Sequence, residues 1–516
     1  MYFFHDTRDT NLGEDGKREK REAHPTSKNK NKNPKKKHTF KMTRFHALCL
    51  CLCYAIAAAT GITAFQQPVS VPSRGIDRCR PSSIQSLQRP LHSRHHNKQL
   101  GRISSTLNSD SIISIDGIDE YQLEQKKWMF RDKYPIAYEV ASVITGDSDD
   151  AETTVPILLL NGFGVGSFHQ HRLMRQLLTE QQQTNDQERK RFIIYGIDYL
   201  GQGKSWPSNP QDGNSSDEYQ LGYSADMWLD QLTSFVQEVI LSPTNNNEIN
   251  SISNNKVHLV GNSVGGYLAT ILTHRHPNLI SSLTLLNATP VWGLNLPGWD
   301  GKLPAPLIPK AIGRQMFDLI RNEDVIRQYL EAAYVRGEAF DGTFVDSFDD
   351  SVNNHGEPLG VKIRACTEGN GGHAAFASIM WSAPASGVSF YDALQQVPVD
   401  VMLLFGGDDP WCTQAVGKRM HVTLASREDR GRGGSACRFV TLENVGHCPN
   451  HEAPSAVARV LIPWLTAEVS EERSKLSLDS AIQIQEPWGE VLVREVLIEE
   501  SESLGLIDRV VSAMVG

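Results

Sequence analysis

The sequence of 516 residues contains little cysteine and no long apolar run outside its N-terminal region. Its eight cysteines show no CxxC spacing, so we predict free thiols rather than a disulfide framework or a zinc site. No later run reaches the roughly 18 apolar residues of a membrane-spanning helix, so we expect no transmembrane span in the mature protein. Basic charge is not in excess either, because the formal net charge is −9, which argues against nucleic acid as a partner.

Nucleotide-binding motifs are also missing. The segment GFGVGS (162–167) carries a lone G-x-G after an apolar run but lacks the third glycine of a dinucleotide fingerprint. The sequence contains no P-loop. We therefore expect no cofactor and no metal ion, and a small molecule as the partner.

The N-terminal region has the composition of two targeting segments. Within residues 1–64, Met42 begins a short basic stretch followed by the apolar run ALCLCLCYAIAAA (47–59), which is typical of a signal peptide. Residues 65–111 are rich in serine and basic residues and poor in acids, as transit peptides are. The pair resembles the two-part plastid-targeting presequence of algae with secondary plastids. A secreted protein with a basic linker is the alternative, and translation could start at Met1 or at Met42.

The body of the chain alternates apolar strands with helical segments. Continuous apolar strands of this kind predict a mostly parallel, doubly wound α/β sheet covered on both faces. We assign the core to residues 112–290 and 398–466. Residues 291–397 interrupt the alternation without an obvious buried strand, so we predict an inserted, mainly helical cap there. Residues 467–516 are assigned to a C-terminal tail.

A serine between glycines identifies a candidate nucleophile. GNSVG (261–265) matches G-x-S-x-G between a strand and a helix, which is the context of a nucleophile elbow. Ser263 is therefore the predicted nucleophile. An oxyanion formed by its attack needs two backbone N–H groups, which we assign to Val264 and, in the loop after ILLL, to Phe163.

The serine hydroxyl needs a base, and the base needs a carboxylate. His447 follows the last predicted sheet strand in the loop VGHCP and is the candidate base, with His169, His373 and His451 as alternatives. Asp409 in LLFGGDDPW is the preferred acid, with Asp408 and Asp198 as alternatives. The chain order serine, aspartate, histidine is that of the α/β-hydrolase fold.

Several stretches together resemble a narrower family. The segments NGFGVGSFHQH, GNSVGGYLA, TLLNATPVWG, FGGDDPW and GHCPNHEAP are similar to those of pheophytinases and the related chlorophyll dephytylases, over about residues 120–466. The resemblance implies hydrolysis of the phytyl ester of pheophytin or chlorophyll. It places the nucleophile, acid and base on Ser263, Asp409 and His447, in agreement with the choice made from the residues.

An apolar ester of this kind suits an aromatic-rich cap. We expect four aromatic side chains to contact the substrate, with core packing as their alternative role: Trp292, Phe376, Trp381 and Trp411. Two other functions stay open, a general plastid lipase or carboxylesterase and a binder of apolar ligands without turnover. In the tail, LGLIDRVVSAMV (504–515) has the pattern of an amphipathic helix, for which surface packing and peripheral thylakoid contact are the two interpretations.

Overall fold

The computed structural model describes residues 121–143, 153–183, 190–207, 221–242, 255–344, 356–367, 371–427 and 435–502. All of them belong to one compact unit, Ser104–Gly516. The predicted targeting segments, residues 1–64 and 65–111, lie outside the described residues, as does the predicted amphipathic helix of the tail.

The strands of the described residues form one ten-stranded sheet. They are β1 Tyr121–Phe130, β2 Tyr134–Val143, β3 Thr153–Leu160, β4 Lys190–Ile197, β5 Val257–Asn262, β6 Ile280–Leu286, β7 Asp400–Gly406, β8 Cys437–Glu443, β9 Ile482–Glu486 and β10 Gly489–Glu495. Their order across the sheet is β1-β2-β4-β3-β5-β6-β7-β8-β10-β9. Strands β4, β3, β5, β6, β7 and β8 pair in parallel, and the outer strands on both sides pair antiparallel. The prediction of a mostly parallel sheet is confirmed.

The α-helices of the described residues cover both faces of this sheet and build the cap. They are α1 His171–Gln183, α2 Ala225–Phe235, α3 Val264–Arg275, α4 Leu307–Ile320, α5 Glu323–Ala333, α6 Leu359–Thr367, α7 Gly372–Trp381, α8 Phe390–Gln396, α9 Gln414–Ala425, α10 Pro449–Glu452, α11 Pro454–Thr466, α12 Ser470–Lys475 and α13 Ile498–Glu502. Helices α4 to α8 lie between β6 and β7, where the sequence predicts the cap. The boundaries 291–397 stay a prediction.

Burial on both faces explains why the central strands are apolar without interruption. Every residue of β5 and β7 is buried. In β3, Leu158 and Leu160 pack into one hydrophobic cluster, whereas Ile157 and Leu159 pack into the other. Successive side chains of a strand point to opposite faces, so a sheet between two apolar layers needs apolar residues at every position.

The C-terminal tail contributes to the sheet, which the sequence analysis did not predict. Strand β10 pairs antiparallel with β8, and β9 pairs with β10. The alternation of Ile482 with Ile484 and of Val491 with Val493 is the period of two that indicates strands. Val491 and Val493 join the same hydrophobic cluster as the interior of β8. Among the described residues, no helix has the length and apolar character needed to cross a bilayer.

Candidate active site

A strained turn between β5 and α3 carries Ser263. Its backbone has φ 55° and ψ −120°, a conformation that costs a non-glycine residue about 1–3 kcal/mol. The flanking glycines make the turn possible. A Cβ on Gly261 would lie 2.5 Å from the carbonyl oxygen of Gly265, and a Cβ on Gly265 would lie 2.5 Å from that of Leu160. The glycines of the G-x-S-x-G pattern therefore allow backbone to pack against backbone.

The end of β6 holds this turn in place. The Ser263 N–H donates to the carbonyl oxygen of Leu286 over 3.1 Å, and the Ser263 carbonyl accepts from the N–H of Thr289 over 3.1 Å. Both partners belong to the chain as it leaves β6 for the cap. The strained backbone is thus restrained from outside its own strand and helix, which lets it persist.

His447 lies in the loop after β8 and is buried. Its N–H donates to the carbonyl oxygen of Ala333, at the end of α5, over 2.7 Å. Its carbonyl accepts from the Asn262 side-chain amide over 3.0 Å. Because Asn262 directly precedes Ser263, this bond brings the predicted base beside the predicted nucleophile. Among the described residues, no hydrogen bond joins the Ser263 hydroxyl to the His447 ring, and such contacts often tighten only when substrate binds.

Asp409, after β7, lies behind the His447 ring. The ring Nδ1 donates to Asp409 Oδ2 over 2.7 Å, because an ionised carboxylate can only accept. Asp409 also accepts from the Trp411 N–H over 2.8 Å and from the Asn287 side-chain amide over 2.7 Å. Burial alone would raise the Asp409 pKa. The charge and hydrogen bond of His447, followed by those two donors, outweigh burial and hold the pKa below its usual range.

The two alternative acids have other environments. Asp408 is exposed, and its carboxylate accepts from the Asn444 N–H over 2.9 Å. Asp198 is buried, and it accepts from the N–H groups of Ser167 and Lys204 over 2.7 Å each. Burial raises the pKa of Asp198 to about 6. These two hydrogen bonds tie the segment after β3 to the turn after β4, and neither partner is a histidine.

Asn287 is a site residue that the sequence analysis missed. It follows β6 with φ 41°, in the left-handed region that asparagine tolerates better than most residues. Its side-chain oxygen accepts from the Gly406 N–H over 2.7 Å, while its amide donates to Asp409. One side chain therefore fixes both the end of β7 and the carboxylate that follows it. An asparagine directly after a buried strand, in LLNATP, is the signal that could have indicated it.

The two segments that carry the predicted oxyanion donors both adjoin Ser263. Val264 is the first residue of α3, so its N–H has no partner within the helix. In the other segment, a Cβ on Gly162 would lie 3.4 Å from the Ser263 Cβ and 3.9 Å from its Oγ. The Gly162–Phe163 segment therefore packs against the serine. The Gly164 N–H donates to the Gln202 side chain over 2.7 Å, which holds this loop.

The four predicted substrate-contacting aromatics have different surroundings. Trp411 meets the His447 ring edge-on with centroids 4.9 Å apart, and Phe376 lies 6.4 Å from Phe163. Trp292 is buried and packs against Trp228 at 5.2 Å. Trp381 is also buried and packs against Trp299 at 5.9 Å. Trp411 thus lies beside the candidate base, whereas Phe376 is as buried as the two tryptophans and also packs against Phe317 at 5.6 Å. Trp292 and Trp381 have the contacts of core residues.

A thiol adjoins the histidine and the carboxylate. Cys412, Asp409 and His447 each offer a ligand atom, and these atoms lie within 4.8 Å of one another. Cys412 is buried, and burial raises the pKa of its thiol well above the usual range, so a thiolate ligand is unfavourable there. A metal at this position would also compete with the hydrogen bond between Asp409 and His447.

The Alpha/beta hydrolase family model matches residues 157–460, more than half of the chain. The chain belongs to this family. The hydrolase is also 28% identical over 418 residues to "Pheophytinase, chloroplastic" of Arabidopsis thaliana, an alignment that covers 72% of this chain and 73% of that relative. The resemblance inferred from the sequence motifs is confirmed by this match.

Two esterases of known structure align with this chain at low similarity. An esterase from Thermogutta terrifontis is 17% identical, covers 66% of this chain and 98% of its own, and has a TM-score of 0.41. An esterase from Exiguobacterium antarcticum is 17% identical, covers 67% of this chain and 100% of its own, and has a TM-score of 0.43. At these values the two structures add nothing about the substrate of the hydrolase.

Proposed function

We propose that this hydrolase cleaves a carboxylic ester with Ser263 as nucleophile, His447 as general base and Asp409 as the carboxylate that orients the base. The observation that carries the proposal is the 2.7 Å hydrogen bond from His447 Nδ1 to Asp409, next to the strained turn of Ser263. The bond fixes the tautomer, so Nε2 carries the lone pair that can accept the serine proton.

The reaction proceeds through an acyl-serine. His447 Nε2 takes the proton of the Ser263 hydroxyl while Oγ attacks the ester carbonyl. The oxyanion accepts hydrogen bonds from the N–H groups of Phe163 and Val264. When the tetrahedral intermediate collapses, the alcohol leaves with the proton held by His447. Water, deprotonated by the same histidine, then attacks the acyl-serine. The bond between the acyl carbon and Ser263 Oγ breaks, His447 returns the proton to Oγ, and the carboxylic acid is released.

The proposed substrate is the phytyl ester of pheophytin or chlorophyll, which yields phytol and the pigment acid. Two observations support it: the 28% identity to the chloroplastic pheophytinase, and the aromatic rings beside Ser263. Each buried methylene of a hydrocarbon chain contributes roughly 0.8 kcal/mol, so an apolar alcohol would bind well among such rings. A general lipase or carboxylesterase remains the competing function, because the same three residues would serve it.

We place the proposed activity in the plastid. The relative is chloroplastic by name, and residues 1–111 have the composition of a signal peptide followed by a transit segment. Fusing residues 1–111 to a fluorescent protein in an alga with secondary plastids tests this. Fluorescence in the plastid supports the assignment, whereas fluorescence in the medium supports secretion.

Product analysis tests the function itself. The purified chain is incubated with pheophytin, chlorophyll and short acyl esters side by side, and phytol and pigment acid are measured. Release of phytol from a pigment is the expected result. Turnover of short esters without phytol release would support the general esterase, and bound pigment without any product would support the ligand binder.

Adjacent carboxylates give a matched test of the residue roles. Asp409→Asn should lower kcat by about 10⁴-fold, because the histidine then takes the wrong tautomer. Asp408→Asn changes an exposed neighbour and should leave kcat nearly unchanged. Ser263→Ala should abolish turnover, and activity that survives this change would show that Ser263 is not the nucleophile.

A further inference from the structure

Helix α4 begins with the two most exposed large apolar side chains of the described residues. Leu307 is 82% exposed and Ile308 is 71% exposed. Single exposed apolar side chains are normal on proteins, whereas a contiguous group marks an interaction surface. Val291 and Leu294, in the loop after β6, are exposed as well. The four form one surface only if α4 and that loop lie side by side.

The loop lies against the C-terminal end of α7. The N–H of Leu296 donates to the carbonyl oxygen of Met380 over 3.2 Å. A Cβ on Gly293 would lie 2.7 Å from the carbonyl oxygen of Ile379. Both contacts involve the last turn of α7, so residues 291–296 run beside that end of the helix.

Helix α4 packs on the same helix and runs in the opposite direction. A Cβ on Gly313 would lie 2.5 Å from the Ala377 Cβ, and a Cβ on Gly372 would lie 2.7 Å from the ring of Phe317. Later residues of α4 thus meet earlier residues of α7, so the two helices run antiparallel. The first turn of α4 is therefore directed toward the C-terminal end of α7, where the loop lies.

Charged and aromatic residues surround this apolar group. Lys310 and Arg314 are exposed on α4, one and two turns beyond Leu307, with Asp318 one turn farther. Trp299, partly buried, packs against Trp381 at the end of α7. An apolar group flanked by basic residues and a tryptophan is the pattern of elements that lie in the headgroup region of a membrane.

Helix α7 also leads from this surface to the candidate site. Phe376, in its middle, lies 6.4 Å from the ring of Phe163, which is 40% exposed. Phe163 follows Gly162, which packs against Ser263. A body that contacts the exposed apolar side chains near the C-terminal end of α7 is therefore only about one helical turn along α7 from Phe376.

We infer that the hydrolase docks onto a lipid bilayer through one cap surface, here called the cap tip, formed by Val291, Leu294, Leu307 and Ile308. The apolar side chains enter the acyl region, and the ammonium of Lys310 and the guanidinium of Arg314 pair with anionic headgroups. The purpose of docking rests on the proposed function, in which the ester carries a long hydrocarbon chain that dissolves in the same phase. The binding itself is independent of turnover.

Vesicle flotation tests the inference with the full chain. Leu307→Ser combined with Ile308→Ser should lower partition onto neutral phosphatidylcholine vesicles by about tenfold or more, because two large apolar side chains no longer enter the lipid. Val469→Ser combined with Leu497→Ser removes two other exposed apolar side chains, 53% and 61% exposed, that lie outside the cap, and it should leave partition unchanged. Neutral vesicles matter because the basic N-terminal residues would bind anionic ones by themselves.

A second pair of variants tests the headgroup contacts. Lys310→Gln combined with Arg314→Gln should reduce the gain in partition that phosphatidylglycerol adds, without affecting neutral vesicles. Unchanged partition of the Leu307 and Ile308 variant, or an equal loss in the matched control, overturns the inference. Loss of a dimer in light scattering of that variant also overturns it, because the cap tip would then be a self-association surface.

Docking and hydrolysis fail separately. Ser263→Ala should float like the unchanged chain although it turns nothing over. Vesicle binding without phytol release would refute the proposed substrate and leave the docking surface in place. Phytol release from detergent-dispersed pigment without vesicle binding would support the proposed substrate and refute the docking surface.

Discussion

Asn287 offers the sharpest test of the site, because its side chain can be changed by a single atom. Asn287→Asp keeps an oxygen to accept the Gly406 N–H, but it replaces the amide that donates to Asp409 over 2.7 Å with a second carboxylate oxygen. The lost hydrogen bond is charge-assisted, and such bonds contribute about 1.5–3 kcal/mol. At about 1.4 kcal/mol for each factor of ten, kcat/KM should fall by about 10- to 150-fold.

The pH dependence separates this effect from general damage. The wild-type Asp409 pKa lies below its usual range partly because Asn287 donates to it. A like charge at the same distance raises the pKa instead. Asp409 then takes up a proton at a higher pH, so the activity of the variant should disappear at a higher pH on the acid side. Asn287→Ala removes the donor without adding charge, so it should shift the acid limb of the pH–activity profile less.

The assay is kcat and KM across pH on the ester that the product analysis identifies, with thermal unfolding measured in parallel. Asn255→Asp is the matched control, since Asn255 is also an asparagine with positive φ but lies exposed before β5. An Asn287→Asp variant with kcat/KM within twofold of wild type and an unshifted acid limb would refute the role given to Asn287. A loss explained entirely by unfolding would refute it too.

Three further predictions concern the turn, the histidine loop and pH. Gly265→Ala should unfold or strongly destabilise the protein in thermal melts, because its Cβ would lie 2.5 Å from a β3 carbonyl, whereas Gly337→Ala meets nothing within 4 Å and should be tolerated. Glu452→Gln should lower turnover about tenfold with little change in KM. The reason is that the carboxylate oxygen that accepts the Gly446 N–H over 2.7 Å is replaced by an amide donor. Unchanged turnover would show that Glu452 does not position the histidine loop. Burial raises the pKa of Glu452 and of Glu486 to about 7 from 4.5, so the folded state holds these protons longer and loses stability as pH rises from 4.5 through 7. Glu486→Gln should flatten that fall in melting temperature, and a melting temperature that rises over the same range would contradict it.

The strand ends made much of the candidate site predictable from the sequence. Apolar runs ending in glycine indicate where parallel strands stop, and the carboxyl ends of such strands meet at one edge of the sheet. Ser263, Asp409 and His447 each follow a parallel strand, so the sequence predicts all three at one edge of the sheet, and the structure joins His447 to Asp409 there. The sequence already favoured Asp409 over Asp408, and in the structure burial and the bond to the His447 ring distinguish the two adjacent carboxylates.

What the sequence could not show depends on contacts between distant segments. Asn262 and Asn287 act through side-chain amides that reach another loop, and no local pattern records the partner. In the sequence, Trp292 and Trp381 look the same as aromatic residues that bind a substrate, but both side chains pack in the interior. The hairpin of β9 and β10 was missed because the tail falls outside the resemblance, although its alternation is readable.

The hydrogen bond between His447 and Ala333 joins the histidine loop of the core to helix α5, which lies between β6 and β7. Glu452 reinforces the link, since its carboxylate accepts from Gly446 beside the histidine and from Val335 just beyond Ala333. If α5 swung outward to admit a bulky ester, it would carry the imidazole away from its carboxylate. We therefore expect an entry route that leaves α5 in place, so a crosslink that immobilises α5 against the histidine loop should leave hydrolysis intact.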